Sequence, residues 1–164
     1  MVDLYQLLDI DKDLVSQFSI FFSRFEYALK RTVHYAKGNE NRIEADWDKF
    51  AAEHDSMFNP GRDPTLKAAV VYLESNPPQK QVLKRGTFGW KDVPKQEESK
   101  LRNLLLCVRR VRNNLFHGGK FPLPDGSIEE PGRNTQLLQS CLRLLEECLL
   151  LNTKVDGIFK SRER

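Results

Sequence analysis

The sequence predicts an all-α protein: an antiparallel helical bundle of three long helices, with extra short helices and one ordered loop. Three observations carry that expectation. Apolar residues recur at spacings of three and four along the three long stretches. No stretch alternates apolar and polar residues as a half-buried strand does. Clusters of Gly, Pro and Asn separate the helical stretches and stop them. With 164 residues, 40% of them hydrophobic, the chain suits one domain over residues 1–164 with one core.

The first long helix is expected from Asp13 to Lys37, where Val15, Phe18, Phe22, Phe25, Leu29 and Val33 form one stripe and Gly38 serves as C-cap. A shorter helix runs from Ala45 to Phe58 and stops at Asn59-Pro60-Gly61. Another begins at Pro64, a favoured first-turn residue, and carries Leu66, Ala69, Val70 and Leu73 up to Asn76-Pro77-Pro78. Residues 80–95 read as the ordered loop, holding Lys84, Arg85, Lys91 and Lys95, Gly86 and Gly89, and Phe88 and Trp90. After Pro94 a helix of more than twenty residues follows, striped by Leu101, Leu104, Leu105, Val108, Val111 and Leu115 and ended by Gly118-Gly119. A loop from Phe121 to Gly132 leads to the last helix, Asn134 to Leu151, striped by Leu137, Leu138, Cys141, Leu144, Leu145 and Cys148.

Charge and cysteine usage narrow the chemistry. Lys and Arg number 26 against 23 acidic residues, a formal net charge of +3, so any polyanion binding has to come from a local patch. Cys107, Cys141 and Cys148 lie within apolar helical patterns without a Cys-x-x-Cys pair, which points to reduced core residues. His34 and His54 read as surface helix residues, and no His/Cys/carboxylate spacing argues for metal. No basic stretch followed by a long apolar run opens the chain, and no 18-residue apolar run occurs in it, so the cytoplasm is the expected compartment, with no membrane association.

One polar cluster breaks the pattern. Arg109-Arg110-Val111-Arg112-Asn113-Asn114-Leu115-Phe116-His117-Gly118-Gly119-Lys120 ends an otherwise core-forming helix. Two successive asparagines cost helix propensity without an evident packing gain, as functional sites do. On a straight helix Asn113 and His117 share a face, whereas Arg112 and His117 are offset by about 140°. To reach one phosphate together they need a loosened helix end, a facing second copy, or both.

Arg112-Asn113-x3-His117 at a helix end resembles the Arg-x4-6-His motif of the HEPN superfamily. Looser likeness extends to Phe25-Glu26-Tyr27-Ala28-Leu29-Lys30, to Phe116-His117-Gly118-Gly119-Lys120 and to Arg133-Asn134, about half the chain in all. The chain is thereby similar to single-domain HEPN proteins of bacterial toxin and phage-defence settings. The resemblance implies a four-helix-type bundle, a homodimer through the motif-bearing helix, and metal-independent endoribonuclease chemistry without a cofactor. Arg112, Asn113 and His117 would be catalytic. Imidazole can move a proton at the ribose 2′-OH or the leaving 5′-oxygen, guanidinium can hold phosphate oxygens, and the amide can orient either.

Arg109, Asn114 and Lys120 would support RNA binding beside the motif; an ordinary solvated helix face is the plainer reading. Glu26 is either a solvated charge or, as the resemblance implies, the acid that holds the motif arginine. Within residues 80–95, the cations and aromatics either clamp single-stranded RNA or cap the core. An antitoxin or regulatory protein is a further expected partner. The alternative function is a non-catalytic HEPN module that binds a nucleotide or a protein.

Overall fold

A computed structural model describes residues 10–93, 99–118 and 132–161. Gly119, Lys120, Pro94 and Lys95, and the expected loop from Phe121 as far as residue 131, lie outside these residues. Asp11 caps the first helix, α1 (Lys12–Arg31), through its carboxylate, and Phe18, Phe22, Phe25, Ala28 and Leu29 form its buried stripe. The helix stops six residues before the expected end. A 3-10 turn (Val33–Tyr35) leads into β1 (Ala36–Asn39), which pairs antiparallel with β2 (Arg42–Ala45). Gly38 is therefore no helix cap: it sits at φ +140° opposite Ile43, where a Cβ would lie 1.9 Å from the Arg42 carbonyl oxygen.

Next come α2 (Trp47–His54), capped by Asp46, and α3 (Pro64–Ser75), capped by Asp63 with proline in its first turn. Residues 80–91 then form a second hairpin instead of an irregular loop. β3 (Lys80–Lys84) pairs with β4 (Thr87–Lys91) across Arg85-Gly86, whose φ values of 48° and 81° are those of a two-residue type I′ turn. Finally, α4 (Lys100–Phe116) and α5 (Arg133–Leu151) follow, and a helix absent from the sequence expectation, α6 (Thr153–Lys160), starts on the Asn152 cap. Arg24 of α1 closes the far end of α6 by donating to the carbonyls of Ile158 and Phe159.

The expectation of an all-α, four-helix-type bundle is thus corrected. Among the described residues the chain is mostly helical, but it carries two small antiparallel sheets and no four-helix bundle is seen. The reason lies in α5. A bundle assumes one apolar stripe per helix, whereas α5 buries Ser140, Cys141, Leu142, Leu144, Leu145, Glu147, Cys148 and Leu149 in close succession, covering most of its circumference. It accordingly packs on α1, α3, α4 and α6, with α3 its most extensive partner. Glu147 is admitted at 2% exposure because Arg62 and Arg143 lie 3.1 and 3.4 Å from its carboxylate. All three cysteines are buried. Among the described residues no helix is long and apolar enough to cross a membrane.

Candidate functional site

The motif sits where α4 stops. Its start is fixed by Ser99, whose hydroxyl accepts from the Arg102 N–H, and by Asp55, which accepts from both the Ser99 hydroxyl and the Leu101 N–H at 2.8 Å. Its buried stripe runs through Leu101, Leu104, Leu105, Cys107, Val108, Val111 and Asn114. Each residue of the motif takes its environment from its angle to that stripe: Asn114 is buried, Arg112 half-buried, and Asn113 and His117 exposed.

Arg112 is held by aromatic rings. Its guanidinium lies 5.7 Å from the centroid of Phe22 on α1 and 5.0 Å from that of Phe116, four residues on along α4. Phe22 stacks in turn on Trp47, 5.3 Å away, and Trp47 stacks on Phe25. Among the described residues the guanidinium donates one hydrogen bond, 3.1 Å to the Asn113 side-chain oxygen. Glu26, half-buried on α1, makes no ion pair with Arg112, so among the described residues the cation has no carboxylate partner. The first helix does hold the motif arginine, through Phe22 in place of an acid.

His117 is the C-cap of α4. Its N–H still donates to the Asn113 carbonyl at 2.9 Å, but its dihedrals (φ −105°, ψ 25°) have left the helix. Gly118 follows at φ 79°, the left-handed conformation in which glycine ends a helix. The 140° offset of a straight helix no longer fixes the direction of this imidazole. Among the described residues neither ring nitrogen is hydrogen-bonded, and no hydrogen bond joins His117 to the side chains of Arg112 or Asn113.

The remaining expected site residues separate. Asn114, at 7% exposure, donates to the Gln79 carbonyl at 2.9 Å and so ties α4 to the base of the β3–β4 hairpin. That is a structural bond, not a surface contact for RNA. Gln81 adds a second tie, from its side-chain amide to the His117 carbonyl at 3.4 Å. Arg109 is half-buried on α4, and Arg110 lines a cleft of about 240 Å³ between α3 and α4 with Lys100, Asn103 and Cys107. Among the described residues no group of three or more His, Cys, Asp or Glu side chains is placed to hold a metal.

A second polar cluster lies among the elements around α2. His34 meets Glu53 at 2.7 Å, the Tyr35 hydroxyl donates to Glu53 at 2.9 Å, and the Asn152 amide donates to the Tyr35 hydroxyl and to His54. His54, far from being a surface residue, is 4% exposed with its other ring nitrogen on the Phe50 carbonyl. Burial, reinforced by Glu53, pushes the Tyr35 hydroxyl up to about 12. This network binds the 3-10 turn, α2 and the start of α6 together; its buried histidine is saturated within the protein. Comparison of the chain with family models, curated proteins and solved structures found no match.

Proposed function

We propose that the chain is an endoribonuclease that cleaves RNA by attack of the ribose 2′-oxygen on the adjacent phosphorus, leaving a 2′,3′-cyclic phosphate and a 5′-hydroxyl. The observation that carries this reading is Arg112: a cation with no carboxylate partner among the described residues, held against two rings, five residues before an exposed imidazole at a helix end. Contact with the rings holds the guanidinium in place while leaving N–H donors for phosphate oxygens, which an ion-paired arginine would have engaged already. Arg112 stabilises the charge that builds on phosphorus. Asn113 fixes the guanidinium through its side-chain oxygen. His117 takes the 2′-OH proton or gives one to the departing 5′-oxygen. Charge stabilisation and proton transfer are both supplied by side chains, so the step as drawn needs no metal or other cofactor.

Base and acid belong on opposite sides of phosphorus, and each motif holds one histidine. A two-fold homodimer through the end of α4 supplies the second. Phe116, 57% exposed beside Arg112, offers apolar surface for that contact. Such an enzyme in the cytoplasm suits a toxin or phage-defence role restrained by an antitoxin or regulatory protein.

The test is incubation of the pure protein with a mixed RNA pool in EDTA, followed by mapping of ends, with His117→Ala alongside. Cleavage to cyclic or 3′-phosphate ends, lost in the variant, is the expected result. Activity that needs added Mg²⁺ or Mn²⁺, or that survives His117→Ala, refutes the mechanism.

A further inference from the structure

In a two-stranded hairpin, directly opposed residues share a face. The β3–β4 register therefore puts Gln81, Trp90, Leu83 and Phe88 on one face and Lys80, Lys84 and Lys91 on the other. Leu83 and Phe88 are 79% and 65% exposed, so they cap no core, and Phe88 meets Trp90 edge-on at 5.4 Å, which leaves a ring face open. The apolar face is also the one that turns toward the motif, because Gln81, opposite Trp90, is the residue that reaches the His117 carbonyl. Phe88 stands two residues further out, about 7 Å along the strand.

Charge selects the occupant. Residues 80–91 carry Lys80, Lys84, Arg85 and Lys91 and no acidic residue. The C-terminal end of α4, where His117 sits, is the negative pole of the helix dipole and repels phosphate unless cations are brought to it. The hairpin beside it carries four, Arg85 at its tip and Lys80, Lys84 and Lys91 on the face behind the rings. Isolated two-stranded hairpins are marginal in water, and this one is pinned at its base by Asn114 and Gln81 to the very turn that carries the motif.

We infer that the β3–β4 hairpin is a binding arm for single-stranded RNA: unpaired bases stack on Phe88 and Trp90 while Lys80, Lys84, Arg85 and Lys91 hold the flanking phosphates. The arm rests on the RNA-cleaving reading and gives it a substrate class. Duplex RNA, whose bases are already stacked, gains nothing from the rings.

The test uses the full chain carrying His117→Ala, so that bound RNA is not cut, with fluorescein-labelled oligouridine and a matching RNA duplex followed by anisotropy. Oligouridine should bind more tightly than duplex, and Phe88→Ala should weaken it by roughly five- to tenfold, the effect of one lost stack. Lys84→Glu should weaken binding and flatten its salt dependence. Trp90 emission should be quenched by RNA and the quench lost in Trp90→Phe, since Trp47 is 3% exposed. Unchanged affinity in both Phe88→Ala and Lys84→Glu, or equal affinity for duplex, overturns the arm. So does a Phe88→Ala variant that loses self-association but keeps RNA affinity, which would make this a protein-contact face. RNA held by the hairpin but never cut by the parent protein sinks the nuclease reading alone; RNA cut normally by the hairpin variants, with the His117 pair intact, sinks the arm alone.

Discussion

Adjacent asparagines in the motif should separate chemistry from stability. Asn114→Ala removes the donor that meets the Gln79 carbonyl at 2.9 Å in a site only 7% exposed. The Gln79 carbonyl is part-buried, and a buried carbonyl left without a partner costs about 1–3 kcal/mol, so the middle of that range is the most this bond can lose. The other tie between hairpin and helix, Gln81 to the His117 carbonyl, is long at 3.4 Å and offsets little of the loss. About 2 kcal/mol is therefore expected, which for a domain of this size lowers Tm by about 4–8 °C. Asn113→Ala acts on an exposed residue whose recorded side-chain bond is to Arg112. Its stability should stay within about 0.5 kcal/mol of the parent, with alanine's higher helix propensity on the favourable side. The assay is urea unfolding followed by far-UV circular dichroism, paired with RNA cleavage at a temperature where both variants are folded. Asn113→Ala should lose cleavage at constant stability, and Asn114→Ala stability first. Equal destabilisation by the two changes, or an Asn114→Ala protein as stable as its parent, would refute the division between a buried tether and an exposed site residue.

The other expected outcomes follow from the same contacts. Phe116→Ala removes one of the two rings that clamp Arg112; at this exposed site about 0.5–1 kcal/mol of cation–π attraction is lost, so cleavage should fall several-fold with Tm little changed, as thermal melts and initial rates will show. Mixing Arg112→Ala subunits with His117→Ala subunits under exchange should restore partial cleavage if two motifs share one cleft, whereas a fully active monomer by light scattering excludes it. Hydrogen bonds from the Thr65 hydroxyl and the Leu66 N–H, then Arg143, hold the Asp63 carboxyl well below its usual range. A depressed carboxyl stabilises above its unfolded value and loses that contribution as pH falls through the folded one. The stability gap between parent and Asp63→Ala should therefore be constant above about pH 4 and close below it in urea titrations; a gap that widens on acidification contradicts the assignment.

Helices whose apolar residues keep a single stripe were legible in the sequence. Pro64 opens α3 as expected, with Asp63 found as its cap, and Gly118 ends α4 in the expected way. Both hairpins were hidden, for different reasons. In β1 and β2 the strands are four residues long and mostly exposed, so no apolar alternation can register, and Gly38 reads as a helix stop although its task is to let β2 pass close by. In β3 and β4 the clue was present: Phe88 and Trp90 alternate, and Arg85-Gly86 sits between Lys84 and Thr87. An arginine at φ 48° is an uncommon first turn residue, and Val82 beside Leu83 masks the alternation on the other strand. α6 was missed because its stripe is a single turn, Val155, Ile158 and Phe159 within eight residues, too short to stand out after the longer run of α5.

At the site, the sequence shows which residue types stand at the helix end but not what holds them. Phe116 lies four residues after Arg112, a spacing that puts a ring beside a guanidinium on any helix, so half of the clamp was there to be read. Phe22 was not, because its contact depends on how α1 meets α4, and the stripe containing Phe22 looks like core. The difference bears on mechanism. An arginine paired with Glu26 would be neutralised, and phosphate would have to displace the carboxylate before being stabilised. An arginine against Phe22 and Phe116 is neutralised by no described carboxylate, and the rings hold it without competing for its N–H groups. On the proposed reading, the aromatic contacts therefore accomplish before substrate arrives what an ion pair would delay: they hold at the end of α4 a cation that no described carboxylate neutralises, five residues before the His117 imidazole.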